Sequence, residues 1–212
     1  MFVQNHMTRD PVTVRPDTEV PKVANLLASN RIRHLPVVDE HERLVGIVTD
    51  RDVRSATGYD TMDALHLKAE NIMTVDPTTI RGNAPLEDAL TILSSRRFGA
   101  LPVVKAGRLV GIISRHDVLV AMNRLLGLDQ SGTRIEVALP DPKADLAAAF
   151  DALGRCDAEL ISAIASRVRD DGEEPALYLR IAGSNRRAVE SKLREAGLIL
   201  LVPENETVDT DS

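Results

Sequence analysis

The amino-acid sequence predicts an α+β fold: a duplicated β-α-β-β-α unit followed by a C-terminal β-α-β-β-α-β unit. Three observations predict it. The nonapeptide LVGIVTDRD at Leu44–Asp52 returns almost unchanged as LVGIISRHD at Leu109–Asp117. Laying His6–Val53 over Ile72–Val118, with one gap opposite His41, gives 20 identities in 47 aligned pairs. Beyond the stretch Gly127–Thr133 the repeat stops, and a different alternation of strand-like and helix-like periods begins. The expected divisions are 1–62 and 63–126 for the two copies, a linker at 127–133, a further domain at 134–203 and a disordered acidic tail at 204–212.

Each copy opens on a shared segment, Met7-Thr8-x-Asp10-Pro11 in the first and Met73-Thr74-x-Asp76-Pro77 in the second. A helix follows, because Val20, Val23, Ala24 and Leu27 recur at i, i+3, i+4 and i+7, as do Leu86, Ala89, Leu90 and Leu93. Pro21 and Pro85 are expected in the first turn, where a missing N–H costs little. Next come the strands Leu35–Val38 and Leu101–Val104, short polar turns, and the second strands LVGIV and LVGII, so each pair reads as a hairpin. The nonapeptide is thus a hairpin strand running directly into a helix, the second of which is expected over Arg115–Leu126.

In the last part, Ile135–Leu139 reads as a strand and Ala144–Arg155 as a helix with Leu146, Phe150 and Leu153 inward. Leu160–Val168 and Ala176–Ile181 flank the turn Asp170-Asp171-Gly172-Glu173-Glu174. In the second of these, Leu177, Leu179 and Ile181 alternate with Tyr178 and Arg180, the pattern of a half-buried strand. Ser184 is placed to cap a helix containing Val189 and Leu193, with Gly197 at its stop and Leu198–Val202 as the last strand. This order of elements is the ferredoxin-like one.

Composition narrows the function classes. The chain is 43% hydrophobic but only 2% aromatic and has no Trp, so its core is aliphatic. A formal net charge of −6 argues against a general nucleic-acid binder, which needs a basic face for phosphates. The single cysteine, Cys156, has no disulfide or zinc partner, which fits a reducing compartment. No signal-like or membrane-spanning run is present, so a cytoplasmic protein that does not enter membranes is expected. No Ser-His-Asp order, metal-spaced His/Cys set or P-loop stands out, and a catalytic role is not expected.

Thr49-x-x-Asp52 and Ser114-x-x-Asp117 satisfy the rule for a helix N-cap with an acidic residue at N3, a reading that needs no ligand. The same helix start also offers free N–H donors and a positive dipole end to phosphate oxygens. Both readings stay open on spacing alone.

The ordered pattern (M)T-x-D-P, helix, LPVV, turn, LVGI-[VI]-[TS]-x-x-D resembles the CBS domain, and two in tandem resemble a CBS pair, or Bateman module, over about residues 3–126. The resemblance implies two repeats packed sheet to sheet about a pseudo-twofold. It also implies clefts that take adenosine-containing ligands such as AMP, ATP or S-adenosylmethionine. By the same resemblance, Thr49 and Ser114 approach phosphate, and Asp52 and Asp117 hold the ribose hydroxyls. Thr13 and Val14 in one copy, and Thr79 and Ile80 in the other, meet adenine. Around these sites the copies differ in charge: Arg33 and His34 precede the first LPVV, whereas Ala100 directly precedes the second. Asp50-Arg51 follows Thr49, but Arg115-His116 follows Ser114. Arg or His at these positions can pair with phosphate, and a histidine makes the pairing pH-sensitive. An anion near Asp50 is repelled, so the Ser114–Asp117 side is expected to be the more hospitable.

The C-terminal part is similar to the ACT domain in its order of elements. The usual Pro-Gly turn after the first strand is replaced by Asp141–Leu146, which has no glycine, so an amino-acid site is not indicated. The combination is similar to acetoin-utilisation-type regulatory proteins of bacteria. It implies a non-catalytic sensor with no obligatory cofactor, for which an adenine nucleotide (AMP or ATP) is the regulatory ligand and occupancy is relayed to a partner protein. CBS pairs associate through helices and ACT-like domains through sheets, so a homodimer is expected. The alternative is a ligand-independent dimerisation or assembly adaptor.

Overall fold

The structure, a computed structural model, describes residues 1–58, 66–167, 175–183 and 186–201. The chain divides into two compact units, Met1–Ala121 and Met122–Ser212, each taken by itself below.

The first unit contains β1 (Thr8–Arg9), α1 (Val20–Ser29), β2 (His34–Val38), β3 (Leu44–Thr49) and α2 (Asp50–Thr57) from the first copy. The second copy gives α3 (Ala69–Ile72), β4 (Thr74–Val75), β5 (Ile80–Arg81), α4 (Leu86–Ser95), β6 (Ala100–Lys105), β7 (Arg108–Ser114) and α5 (Arg115–Leu125). The helices bury the predicted stripes through Val20, Val23 and Leu27, and through Leu86, Ala89 and Leu93. Leu90 departs from the reading. It is 39% exposed, because it lies at the stripe's edge where the neighbouring elements no longer cover the helix. Pro85 is the N-cap of α4, one position outside the first turn, whereas Pro21 sits within the first turn of α1.

The hairpins repeat residue for residue. His34 pairs Thr49 and Ala100 pairs Ser114, and both ladders break with a bulge at the equivalent step, Val37/Val38 and Val103/Val104. Yet the sheets do not follow the copies. β1 adds to β7 of the second copy, with Thr8 opposite Ile112, and β4 adds to β3 of the first, with Thr74 opposite Ile47. Each opening Met-Thr segment is therefore an edge strand of the other copy's sheet. This exchange explains the glycine in both LVGI motifs. A Cβ on Gly111 would lie 2.9 Å from the Thr8 carbonyl oxygen, and one on Gly46 would lie 3.2 Å from that of Thr74. The same Cβ atoms would also run into the sulfurs of Met7 and Met73 respectively. Only glycine lets the exchanged strand approach so closely.

The second unit contains β8 (Thr133–Ala138), α6 (Pro142–Gly154), β9 (Leu160–Ser166), β10 (Ala176–Ile181), α7 (Arg186–Glu195) and β11 (Leu200–Leu201). Its antiparallel sheet has the order β11-β8-β10-β9. Both helices pack on one face through Ala149, Leu153, Val189 and Leu193 against Ile135, Val137, Leu177 and Leu179. Asp141 caps α6 by accepting from the Ala144 N–H at 3.2 Å. Phe150, expected inward, is 48% exposed. The buried stripe runs through Ala149, Ala152 and Leu153, and Phe150 lies one residue, about 100° of helix turn, from Ala149. Gly197 does end α7, with φ of 82°. The expected cap Ser184, the turn Asp170–Glu174, the strand ends Val168 and Val202, and the tail 204–212 lie outside the described residues.

Candidate functional site

The two nonapeptides build the same helix start. In the second copy, Asp117 Oδ2 accepts from the Ser114 N–H and from the Ser114 hydroxyl, both at 2.7 Å, while the Asp117 N–H donates back to Ser114 Oγ at 3.2 Å. In the first copy, Asp52 Oδ2 accepts from Thr49 N–H at 2.8 Å and from its hydroxyl at 2.7 Å, with the return bond at 3.2 Å. Both are complete capping boxes. The bonds to Asp converge on one oxygen, so Oδ1 of each carboxylate keeps its accepting capacity among the described residues. The hydroxyl proton, by contrast, is committed to the aspartate. Ser114 or Thr49 can meet a phosphate only by rotating away from it.

The second of these starts lines a large cleft that the first does not border. The cleft measures about 830 Å³ and lies wholly within the first unit. The first copy contributes the exchanged opening segment, Thr8 and Asp10–Val12, and the stretch Asn30–His34 after α1. The second copy contributes Gly99, Ala100, Ile112, the run Ser114–Asp117, and Leu119.

Of the residues expected from sequence, the cleft gathers Arg33, His34, Ala100, Ser114, Arg115, His116 and Asp117. Thr13, Val14, Thr49, Arg51, Asp52, Thr79 and Ile80 do not line it. Val14 and Ile80 are buried at equivalent places, where each pairs in parallel with the first hairpin strand of its own copy. The sequence reading singled out the run Arg31–His34 for phosphate but missed Thr8, Asp10 and Leu119. The repeated Met-Thr-x-Asp-Pro signal pointed to the first two, but served only as a register mark.

Charge and apolar surface are distributed unevenly between the copies. In the first, Asp50 pairs with Arg54 at 3.2 Å, one turn along the helix. In the second, the aligned positions hold Arg115 and Leu119. The Arg115 guanidinium donates to the Leu93 carbonyl at 3.3 Å, and Leu119 is 59% exposed beside the cleft. His34 reaches from the first copy onto Gly99, where any Cβ would collide with its ring. Burial pushes the His34 pKa below its ordinary value. Arg33 and Arg115 push the same way, and Asp50 and Asp52 oppose them. Its imidazole is thus biased towards the neutral form.

No group of side chains among the described residues has the arrangement to hold a metal ion, and no described helix is long and apolar enough to cross a membrane.

These features match known proteins. The CBS domain family profile matches residues 3–58 and 69–124. A CBS domain-containing protein of Dictyostelium discoideum is 35% identical over 136 residues, covering 59% of this chain and 94% of that protein. Inosine-5'-monophosphate dehydrogenase of Methanocaldococcus jannaschii is 35% identical over 112 residues, but these span only 21% of that enzyme and 52% of this chain. Among solved structures, AcuB from Vibrio cholerae, described as an acetoin utilization protein, superposes with a TM-score of 0.56 at 31% identity, over 61% of this chain and 95% of that one. CBSX2 of Arabidopsis thaliana, solved in complex with AMP, gives 0.53 at 31% identity over 61% and 98%. The MJ0100 CBS pair, solved with 5'-methylthioadenosine and S-adenosyl-L-methionine, gives 0.53 at 29% identity over the same shares. With a doubled profile match, exchanged strands and two equivalent helix starts, the chain belongs to the CBS-domain family and carries a tandem CBS pair.

Proposed function

We propose that this protein is a non-catalytic regulator that binds an adenosine-containing phosphate ligand, of the AMP or ATP type, in the cleft at Ser114–Asp117. The observation that carries this reading is one cleft in which Asp117 offers an open carboxylate oxygen and which Arg33, His34, Arg115 and His116 also line. A ribose diol can donate to Asp117 Oδ1, the base can lie on apolar surface such as Leu119, and the cations can meet the phosphate. The cations outnumber the carboxylates there, which favours an anionic nucleotide over a cationic sulfonium ligand. Relatives solved with AMP or with S-adenosyl-L-methionine support the ligand class.

In this reading the second unit, which we take as ACT-like from its order of elements, relays occupancy to a partner protein in a cytoplasmic homodimer. A ligand shifts such an equilibrium only by binding the two states differently. The test is a thermal-shift series on the full chain with AMP, ATP, adenosine and S-adenosylmethionine. A ligand that binds only the folded state stabilises by RT ln(1 + [L]/Kd), so AMP or ATP should raise Tm more than the other two. A folded chain whose Tm none of them moves would leave the ligand-independent adaptor as the surviving reading.

A further inference from the structure

Helix α1 ends in a Schellman motif: the Arg31 N–H donates to the Ala28 carbonyl at 3.1 Å, and the Ile32 N–H to that of Leu27 at 3.0 Å. The motif puts Arg31 in the left-handed region, with φ of 54°. Glycine or asparagine normally fills that position, because a Cβ there crowds the backbone. The second copy does the same with Arg97, at φ of 56°. Nothing within the fold accounts for arginine at position 31. It is exposed, and its side chain makes no hydrogen bond or ion pair with a described residue. What it does do is line the cleft, whereas Arg97 does not.

We propose that Arg31 is a phosphate-binding, specificity-determining residue of this cleft, kept in a strained backbone position for its charge. The proposal rests on the nucleotide reading above and deepens it. Arg31 adds to Arg33 and Arg115 among the cations that line the cleft, and its side chain has no partner among the described residues to give up when an anion arrives. Its contribution should appear in ligands that carry phosphate and be absent from those that do not.

The experiment compares wild type with Arg31→Gly, Arg31→Lys and Arg97→Gly, each as the full chain. It reads unliganded Tm together with calorimetric affinity for AMP and for adenosine. Relief of the left-handed strain should raise the Tm of both glycine variants by about 2 °C, a gain moderated by glycine's freer unfolded chain. Arg31→Gly should lose about three- to tenfold in AMP affinity, less than a buried charged contact would, and the loss should shrink in 1 M salt. Its adenosine affinity should not change. Arg31→Lys should keep most of the AMP affinity, and Arg97→Gly all of it. Unchanged AMP binding in Arg31→Gly overturns the proposal, as does an equal loss in Arg97→Gly or an equal loss for adenosine. A folded wild type that binds neither AMP nor ATP overturns the nucleotide reading itself, and this proposal with it.

Discussion

The starts of α2 and α5 share a capping box and bond lengths that agree within 0.1 Å, yet they differ in the charge and apolar surface around it. Asp50 and Arg54 neutralise each other on the first. Arg115 and Leu119 hold those places on the second, and only the second borders the large cleft. The hydrogen bonds that define the motif serve the fold in both copies. Binding character comes from the residues between and after them. On the proposed function, the duplicated motif keeps its structural role twice and its ligand role once.

The largest effect expected from this difference is on affinity. Replacing Asp117 by Ala should weaken AMP binding about tenfold to a hundredfold, the loss of a hydrogen bond of roughly 1.5–3 kcal/mol to a charged group. Asp52→Ala should change it little. Both variants lose a capping box, so the unliganded protein should drop by about 1 kcal/mol in each. Calorimetric titration with urea unfolding alongside separates the two roles, and equal affinity losses would erase the distinction between the copies.

Next in size is the exchanged strand. Gly111→Ala should cost about 1–3 kcal/mol by overpacking, because its Cβ meets the Thr8 main chain at 2.9 Å, and β1 must shift to relieve it. Gly46→Ala, at 3.2 Å from Thr74, should cost less. Since Thr8 lines the cleft, only the Gly111 variant should also weaken AMP binding. Equal unfolding midpoints in urea would mean that the two edges are equivalent after all.

Arg115→Gln removes the positive charge that sets the second helix start apart from the first while keeping a polar side chain. A partly exposed charge contact is worth up to about 1 kcal/mol, so AMP affinity should fall no more than about fivefold, and less at high salt. A loss that salt does not diminish would mean the arginine acts through its bond to Leu93 and not through its charge.

How much of this was legible in the sequence follows from where each signal resides. Helix stripes, hairpins and the C-terminal order of elements are local periodicities, and they appear as read. The strand exchange is not local. β1 and β4 are two residues long, too short for any alternation, and their partners lie in the other copy. The capping boxes were legible because they span four residues. Which of them meets a cleft was not, since that depends on how Asn30–His34 crosses to the second copy. The charge difference at Asp50 and Arg115, with that of Arg33 and His34 against Ala100, was the clue to the asymmetry available from residues alone. Phe150 and Leu90 show the opposite failure, where an apolar residue at a stripe's edge was counted as core.

The smallest effect is on pH dependence. His34 has its pKa lowered, so the folded state prefers the neutral ring. Its contribution to stability is complete above the ordinary imidazole value and is lost as pH falls through the lowered folded value. A bound phosphate raises that pKa again, so AMP affinity should improve as pH drops below neutral while the unliganded fold weakens. His34→Gln should flatten both trends relative to wild type, leaving only the titration of the nucleotide's own phosphate. Parallel pH curves for the two proteins would show that His34 takes no part.

The most direct test of the central claim is the number of AMP molecules bound per chain, read from calorimetric titration of the wild-type protein near neutral pH. One tight site per chain is the expected result, because one helix start faces the cleft with cations and an open carboxylate oxygen while the other carries a self-neutralised ion pair. Two sites of equal affinity would contradict it, since the shared capping box alone would then suffice for binding.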